Sequence, residues 1–281
     1  MATDPLDSLH APLTSLPGIG PRLATLLARA VSGETIRDLL FHLPDHYIDR
    51  RERSLLHDAK PGGIGTFSVE VTGHETPARK NQPHRVVIRD ASGFGEVVLF
   101  HAASLARFPV GAKLMISGRV DRYAGRPSLA HPDHVVPADR EASLPTIEPV
   151  WPLTAGLYPS VVARAMAGAL TRLPALPEWQ NPSVLRRRHW PGFGDALHAL
   201  HAPTAAIPDD APARRLACDE LLARQLAFAL IRARRRKRPG RAFTGNGALR
   251  AAALARFGFS PTPAQASALS EIDADLASPH R

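Results

Sequence analysis

The chain has 281 residues and a net charge of +9, with 35 Lys and Arg against 26 Asp and Glu. This length suggests about two domains, and the positive charge favours an anionic polymer or surface as the partner. No stretch reaches the roughly 18 apolar residues of a spanning helix, which disfavours a membrane. The single cysteine, Cys218, excludes an internal disulfide and a CxxC zinc site, and the N-terminus lacks a secretory signal pattern. These features predict a cytoplasmic protein.

The first predicted element is a glycine-rich turn that leads into a helix, within residues 9–31. Residues 17–20 (PGIG) form the turn, and leucines at helical spacing follow it. The sequence resembles a helix-hairpin-helix element, in which backbone N–H groups of the turn, here at Gly18 and Gly20, contact a DNA phosphate. The alternative is a packing corner, where the glycines only supply positive φ angles.

Residues 64–136 predict a small β-barrel, because apolar or β-branched residues recur at every second position. The predicted strands lie in the segments IGTFSVEVTGHE, HRVVIRD, GEVVLFH, KLMISGRVDRY and SLAHPDHVV. Turn residues separate the segments, and a longer connection joins the third to the fourth. Five short strands in this arrangement predict a Greek-key barrel of OB type, a fold that commonly binds oligonucleotides.

Cations and aromatic residues mark the solvent side of these strands. The cations are Arg79, Lys80, His84, Arg85, Arg89, Lys113, Arg119, Arg122 and Arg126, and the rings are Phe100, Phe108 and Tyr123. Cations that follow a phosphate backbone and rings that stack on bases are what single-strand or junction binding requires. The residues predicted to bind DNA are Arg85, Arg89, Phe100, Arg119, Arg122, Tyr123 and Arg126. The alternative is a barrel with solvated charges and core aromatics, and Phe100, at a strand end, fits either surface or core.

Beyond the barrel, prolines in residues 137–160 predict a linker. A long amphipathic helix is predicted from Ala213 to Arg238, and its end is a dense run of cations. Phe259 and Gln265 stand just ahead of a last helix. No GxxxxGK[ST] phosphate loop occurs in the sequence, and the spacings support no catalytic or metal-binding constellation.

Several segments together resemble the N-terminal half of RecG-type branched-DNA helicases. They are LTSLPGIGPRLATLLARA, DLLFHLPDHYIDR, VVLFH, GRVDRYAGRPSLAHPDHV, PVWPLTAGLYPSVVARAM, CDELLARQLAFALIRARRR and FGFSPTPAQASALSEI, in the family's order. The resemblance covers nearly the whole chain and implies an α+β protein in four parts. These are a helical region with the hairpin-like turn (1–58), an OB-fold wedge domain (59–140), a linker with a helical segment (141–240) and the truncated start of a RecA-like ATPase motor (241–281).

The resemblance also implies a role for the barrel. In that family the barrel is a wedge at the branch point of a stalled replication fork or Holliday junction, and it splits the parental duplex during DNA recombination and repair. An aromatic residue at the end of the third strand stacks on an exposed base, and Phe100 holds that position. Ser104 stands where the family often has a second aromatic residue, so Phe108 or Tyr123 would have to supply the second ring.

For the nucleotide, Phe259 and Gln265 resemble the Q motif, in which the ring stacks on adenine and the amide hydrogen-bonds its edge. In such helicases the phosphate loop follows shortly afterwards, and this sequence ends before it. ATP hydrolysis needs amides and a Lys around the phosphates, plus a Mg²⁺ ligand. We therefore expect the chain to bind branched DNA as a monomer without hydrolysing ATP. ATP and Mg²⁺ are implied for the full-length family, and no cofactor is expected in this chain.

Two other classes of function fit the same sequence. A free-standing OB-fold protein that binds single-stranded nucleic acid would prefer long single strands over forks. A protein-interaction module, in which the positive charge only confers solubility, would bind DNA too weakly to survive physiological salt.

Overall fold

The computed structural model describes residues 6–75, 77, 79, 82–236 and 241–279. Its contacts divide the chain into two compact units, Met1–Arg215 and Leu216–Arg281. Lys80, one of the predicted barrel cations, lies outside the described residues, as do Lys237 and Arg238 at the end of the predicted long helix.

In the described part of the first unit, helices come first, strands follow and further helices come last, and the described part of the second unit is helical. In chain order the elements are α1 Asp7–His10, α2 Pro21–Val31, α3 Ile36–Leu40, β1 His46–Asp49, β2 Ile64–Glu75, β3 His84–Arg89, β4 Phe94–Leu99, β5 Lys113–Tyr123, β6 Arg126–Ala130, β7 His134–Pro137, β8 Ile147–Val150, α4 Pro159–Leu170, α5 Pro182–Arg188, α6 Phe193–His201, α7 Asp210–Arg236, α8 Ala248–Phe257 and α9 Pro263–Ala277.

Local sequence signals explain how the N-terminal helices begin. Pro21 occupies the first turn of α2, where its missing N–H costs nothing because that donor has no partner within the helix. In α3, the Thr35 side chain accepts from the Asp38 N–H while the Asp38 carboxylate accepts from the Thr35 N–H, which is a capping box. These hydrogen bonds outweigh the effect of burial and lower the pKa of Asp38.

Strands β2 to β6 form a closed barrel. The pairs β2–β3, β3–β4, β5–β6 and β2–β5 are antiparallel, and β4–β6 is parallel. β2 closes the barrel because its first half pairs with β5 and its second half with β3, across a register shift between Val71 and Gly73. β7 adds to the free side of β5. This arrangement confirms the OB-type barrel within an α+β chain.

The barrel is filled by the residues that alternate inward along its strands. The buried set is Leu56, Ala59, Phe67, Val69, Val71, Val86, Ile88, Val97, Leu99, Phe108, Leu114, Ile116, Val120 and Leu129. Most of these are the apolar positions of the predicted two-residue period. Because the period is two, burying this set directs neighbouring residues to the outer face, among them the predicted cations Arg85, Arg89, Lys113 and Arg119.

The fifth predicted strand is divided into two. The segment SLAHPDHVV was expected to form one strand, but β6 ends at Ala130 and β7 begins at His134. His131 has a left-handed φ of 48°, and Pro132 has no N–H to donate to a ladder. The turn between them therefore redirects the chain, so that β6 pairs with β4 and β5 while β7 pairs only with β5.

A buried arginine ties the barrel to the ribbon formed by β1 and β8. Arg50 is 1% exposed and donates to Glu148 at 2.6 Å, to Ser117 at 2.6 Å and to Asp133 at 3.1 Å. Burial raises the pKa of Glu148, but hydrogen bonds from His134 and Arg50 outweigh it and hold that pKa below its usual value. One cation thus joins the β8 strand to β5 and to the β6–β7 turn of the barrel.

The second unit contains most of α7, then α8 and α9. The sequence predicted the long helix from Ala213 to Arg238, and α7 runs from Asp210 to Arg236. Its expected apolar side is exposed to solvent, including Leu226 at 55% and Leu230 at 62%. Within the described residues, no helix is both long enough and apolar enough to cross a membrane.

Candidate nucleic-acid interface

Phe100 stands at the end of β4 with its ring in solvent. The side chain is 61% exposed, so the structure places it on the surface rather than in the core. Its ring stacks on the imidazole of His131, with centroids 5.1 Å apart and planes 27° apart. One aromatic ring at the rim of the barrel is therefore presented to solvent and supported by a second ring.

The two residues proposed as a second ring lie in different environments. Phe108 is fully buried, because it follows the 3-10 turn Ala102–Arg107 and its ring fills the barrel core. Phe108 as a surface ring is therefore wrong. Tyr123 is 56% exposed at the end of β5, and the guanidinium carbon of Arg85 lies 4.1 Å from its ring centroid. The Tyr123 ring is thus exposed to solvent, and the Arg85 guanidinium lies against it.

Two of the predicted arginines already have carboxylate partners. Arg85 donates to both oxygens of Glu96 on β4, at 2.9 and 2.7 Å, and these hydrogen bonds raise its pKa. Arg89 donates to Glu70 at 3.0 Å, directly across the β2–β3 pair. The charge that these two arginines present to a polyanion is therefore partly neutralised. The signal for both pairs lies in strand register, which sequence reasoning did not use.

The cations on and around β5 and β6 differ from Arg85 and Arg89 in their ion pairing. Lys113, Arg119, Arg122 and Arg126 are exposed, and no carboxylate in the described part of the chain forms an ion pair with them. The β5–β6 turn presents three of the predicted site residues, because Ala124 and Gly125 both have positive φ angles, as a tight two-residue hairpin requires. Tyr123 and Arg126 consequently lie side by side as paired residues at its tip, with Arg122 next to them.

Phe94 is an exposed ring that the sequence reasoning missed. It begins β4, lies opposite Arg89 and is 52% exposed. Its even number places it on the same outer face as Phe100, about 20 Å away at the usual strand rise. The two-residue alternation, which buries Val97 and Leu99, contained this signal.

The predicted turn at Gly18 and Gly20 lies among the helices. Gly18 has a φ of 71°, and an added Cβ would meet the Arg164 side chain of α4 at 3.3 Å. Gly20 is the N-cap of α2 and has space around it. Gly18 therefore has a conformational and packing reason to be glycine that does not require DNA.

The predicted nucleotide-contacting residues lie in the second unit. Phe259 is 64% exposed and lies 5.5 Å from Phe257, centroid to centroid. Gln265 is the third residue of α9, and its Oε1 accepts from the Thr262 N–H at 2.9 Å in a capping box. The same glutamine therefore has a local structural function. Among the described residues, no group of three His, Cys, Asp or Glu is placed to hold a metal ion.

These features define the class of protein. It contains an OB-fold barrel with exposed aromatic rings and with cations that have no carboxylate partner among the described residues, and helical segments lie before and after the barrel.

No protein-family model matches the sequence. Curated relatives do match it, and so does a solved structure. The "ATP-dependent DNA helicase RecG" of Acidithiobacillus ferridurans is 30% identical over 274 residues, which is 96% of this chain and 40% of that protein. The protein of the same name from Escherichia coli O127:H6 is 31% identical over 281 residues, 95% of this chain and 40% of the relative.

A solved structure described as RecG bound to a three-way DNA junction superposes with a TM-score of 0.67 and 26% identity, over 100% of this chain and 38% of that one. The chain is therefore homologous to the N-terminal region of RecG, as the resemblance implied. It spans about two fifths of the length of these relatives.

Proposed function

We propose that this chain is the DNA-recognition part of a RecG-type branched-DNA helicase, and that its barrel acts as a wedge at the branch point. The observation that carries the proposal is the exposed ring of Phe100 at the end of β4, where the family's stacking residue is expected. The homologous structure is described as bound to a three-way DNA junction, which supports a forked substrate for this chain. Replication forks and Holliday junctions are the proposed ligands, in recombination and repair.

The predicted DNA-binding residues make different kinds of contact. Lys113, Arg119, Arg122 and Arg126 contact phosphates, because each has a charge that no carboxylate of the described residues neutralises. Phe100 stacks on the base that becomes unpaired at the branch. Arg85 acts through the ring of Tyr123, since its guanidinium is held between that ring and Glu96. Arg89 contributes less because it is paired with Glu70. A phosphate contact at Gly18 and Gly20 stays a prediction.

The nucleotide chemistry of the whole protein is a separate proposal. ATP and Mg²⁺ serve the parent helicase, but this sequence offers only Phe259 and Gln265 toward an adenine and has no phosphate loop. The residues present therefore do not fit a complete ATP site, and we expect DNA binding without ATP hydrolysis. The four-part domain organisation, a monomeric state and a cytoplasmic location are further proposals from the sequence.

Binding titrations at low salt and at physiological salt test the proposal, with all ligands compared at the same salt concentration. A three-way fork, a linear duplex and a single strand of equal length are compared for the unaltered chain and for Phe100→Ala. We expect the fork to bind most tightly, and Phe100→Ala to lose about 1–3 kcal/mol on the fork with little change on duplex. Phe94→Ala is the matched control, since it removes an exposed ring from the same face at the other end of β4.

Each alternative has its own signature in these titrations. Equal losses on fork and duplex would contradict the wedge, and tighter binding to the single strand would favour a generic OB-fold single-strand binder. Binding that disappears at physiological salt on all three ligands would favour a protein-interaction module.

A further inference from the structure

The support behind the Phe100 ring comes from an unusual backbone position. His131 is exposed and has a φ of 48°, a region that non-glycine residues seldom occupy. Its N–H donates to the Val98 carbonyl at 3.1 Å, two residues before Phe100 on the neighbouring strand. This conformation places the imidazole 5.1 Å from the Phe100 ring, nearly parallel to it.

The turn that contains His131 is held in place by contacts with β5 and with Arg50. A Cβ on Gly118 of β5 would lie 2.9 Å from the Pro132 Cα, so only glycine lets the turn approach β5 this closely. Asp133 accepts from the buried guanidinium of Arg50 at 3.1 Å. A left-handed residue persists where its surroundings determine the backbone, and here contacts at Pro132 and Asp133 do so directly after it.

A ring at the end of a strand gains from such support. An exposed phenylalanine loses side-chain freedom when a base stacks on it, and this loss reduces the affinity. A ring already held in place by a neighbouring ring incurs less of that loss. Because His131 covers one face of Phe100, the other face is the one left for a base. The His101 ring also lies 6.5 Å from that of His131, so a third ring is close to the pair.

We propose that His131 is a positioning residue for base stacking: it holds the Phe100 ring so that one face receives an unpaired nucleobase at the branch point. The proposal rests on the proposed function, because it needs a base to stack on Phe100. It assigns a role in nucleic-acid binding to the β6–β7 turn, which the strand pattern had placed within a continuous strand.

The experiment uses the 281-residue chain and a three-way fork with 2-aminopurine at the branch. Stacking quenches the fluorescence of this base, and titration gives the affinity at the same time. His131→Ala is expected to weaken fork binding about three- to tenfold, as the loss of an aromatic pair predicts. It should also reduce the quenching and leave duplex affinity unchanged. His131→Phe keeps a ring at this position and should restore both quantities.

His189→Ala is the matched control, because His189 is also exposed, also has a positive φ of 54°, and contacts no ring in the described part of the chain. It should bind the fork as the unaltered chain does and show the backbone effect of alanine on thermal stability.

The outcomes separate the inference from the proposed function. If Phe100→Ala weakens fork binding and His131→Ala does not, the inference is overturned while the wedge stands. A loss in His131→Phe equal to that in His131→Ala also overturns it, since a ring would then not be what matters. If the unaltered chain shows neither fork preference nor quenching, the proposed function fails and the inference fails with it.

Discussion

The indole N–H of Trp151 donates to Nδ1 of His201 over 3.1 Å, inside the first unit. Since Nδ1 accepts this hydrogen bond, the imidazole is neutral and its Nε2 donates to the Leu40 carbonyl at 2.8 Å. Burial lowers the pKa of His201 to about 4. One neutral histidine thus joins α6 to α3 and to the segment after β8.

The stability of the chain should therefore fall as the solution is acidified from pH 6.5 to about pH 4. In the unfolded chain His201 takes up a proton near pH 6.5, whereas in the folded chain it does so only near pH 4. Its contribution is complete above pH 6.5 and is lost as the pH falls through this window, by about 3 kcal/mol in total. Urea unfolding at half-unit pH steps measures this slope.

His201→Gln should remove most of that pH dependence, although it also lowers stability at neutral pH. His10→Gln is the control, because His10 is an exposed histidine that is not among the groups lowering the pKa of His201, and this variant should keep the slope. An unchanged slope in His201→Gln would show that other groups cause the acid sensitivity.

Removing the buried cation at position 50 should destabilise the first unit strongly. Arg50→Met leaves Asp133 without its cation and Glu148 with only His134. Breaking a buried ion pair costs about 3–5 kcal/mol, and the low end applies here because both carboxylates are partly exposed to solvent. Arg51→Met is the neighbouring control: Arg51 pairs with Asp49 in solvent, so a much smaller loss is expected. Denaturant unfolding measures both. Similar losses for the two variants would mean that the Arg50 network adds nothing beyond an exposed pair.

The salt dependence of DNA binding should reveal which cations contact phosphates. On duplex DNA, log K falls about 0.9 per log unit of salt for each phosphate neutralised, and about 0.7 on single strands. Arg119→Gln and Arg126→Gln should each reduce the slope by nearly this amount. Arg89→Gln should reduce it less, because Glu70 already neutralises Arg89. Three equal reductions would show that the ion pair opens when DNA binds.

Gln265 can be tested for its structural function separately from any contact with adenine. Gln265→Ala removes the acceptor of the Thr262 N–H and should cost α9 about 0.3–1.5 kcal/mol. Gln265→Glu keeps an acceptor at the third helical position and should restore the cap. Amide exchange at Thr262 measures this, with fast exchange expected only in the alanine variant. Fast exchange in both variants would mean that the amide group itself is required.

The alternation of apolar residues predicted the barrel well, because inward residues such as Val97 and Leu99 directly reflect its geometry. It failed at His131, where a left-handed residue and the following proline divide a segment with strand-like composition. For a related reason, the sequence alone does not show whether Phe100 lies on the surface or in the core. A residue just past a strand end has no strand neighbour that fixes the side to which it points.

Partners distant in sequence could not be predicted from local patterns. Arg50 and Ser117 are 67 positions apart, and nothing in either segment indicates that one side chain reaches the other. The same holds for the ion pairs of Arg85 and Arg89, which depend on strand register, and for His131, whose partner Phe100 directly follows β4. Composition indicated that cations were present on the barrel, while the register determined which of them remain unpaired.

The pairing of β1 with β8 also constrains the order in which the chain can fold on the ribosome. Asp49 pairs with Ile147, so the chain enters the barrel and leaves it at positions that are adjacent in space. The N-terminal helices pack on α4, since α3 contacts α4 directly. Synthesis of the roughly 100 intervening residues takes on the order of 5–20 s. During that time the side of α3 that packs on α4 stays uncovered, while α1 and α2 can already pack on α3.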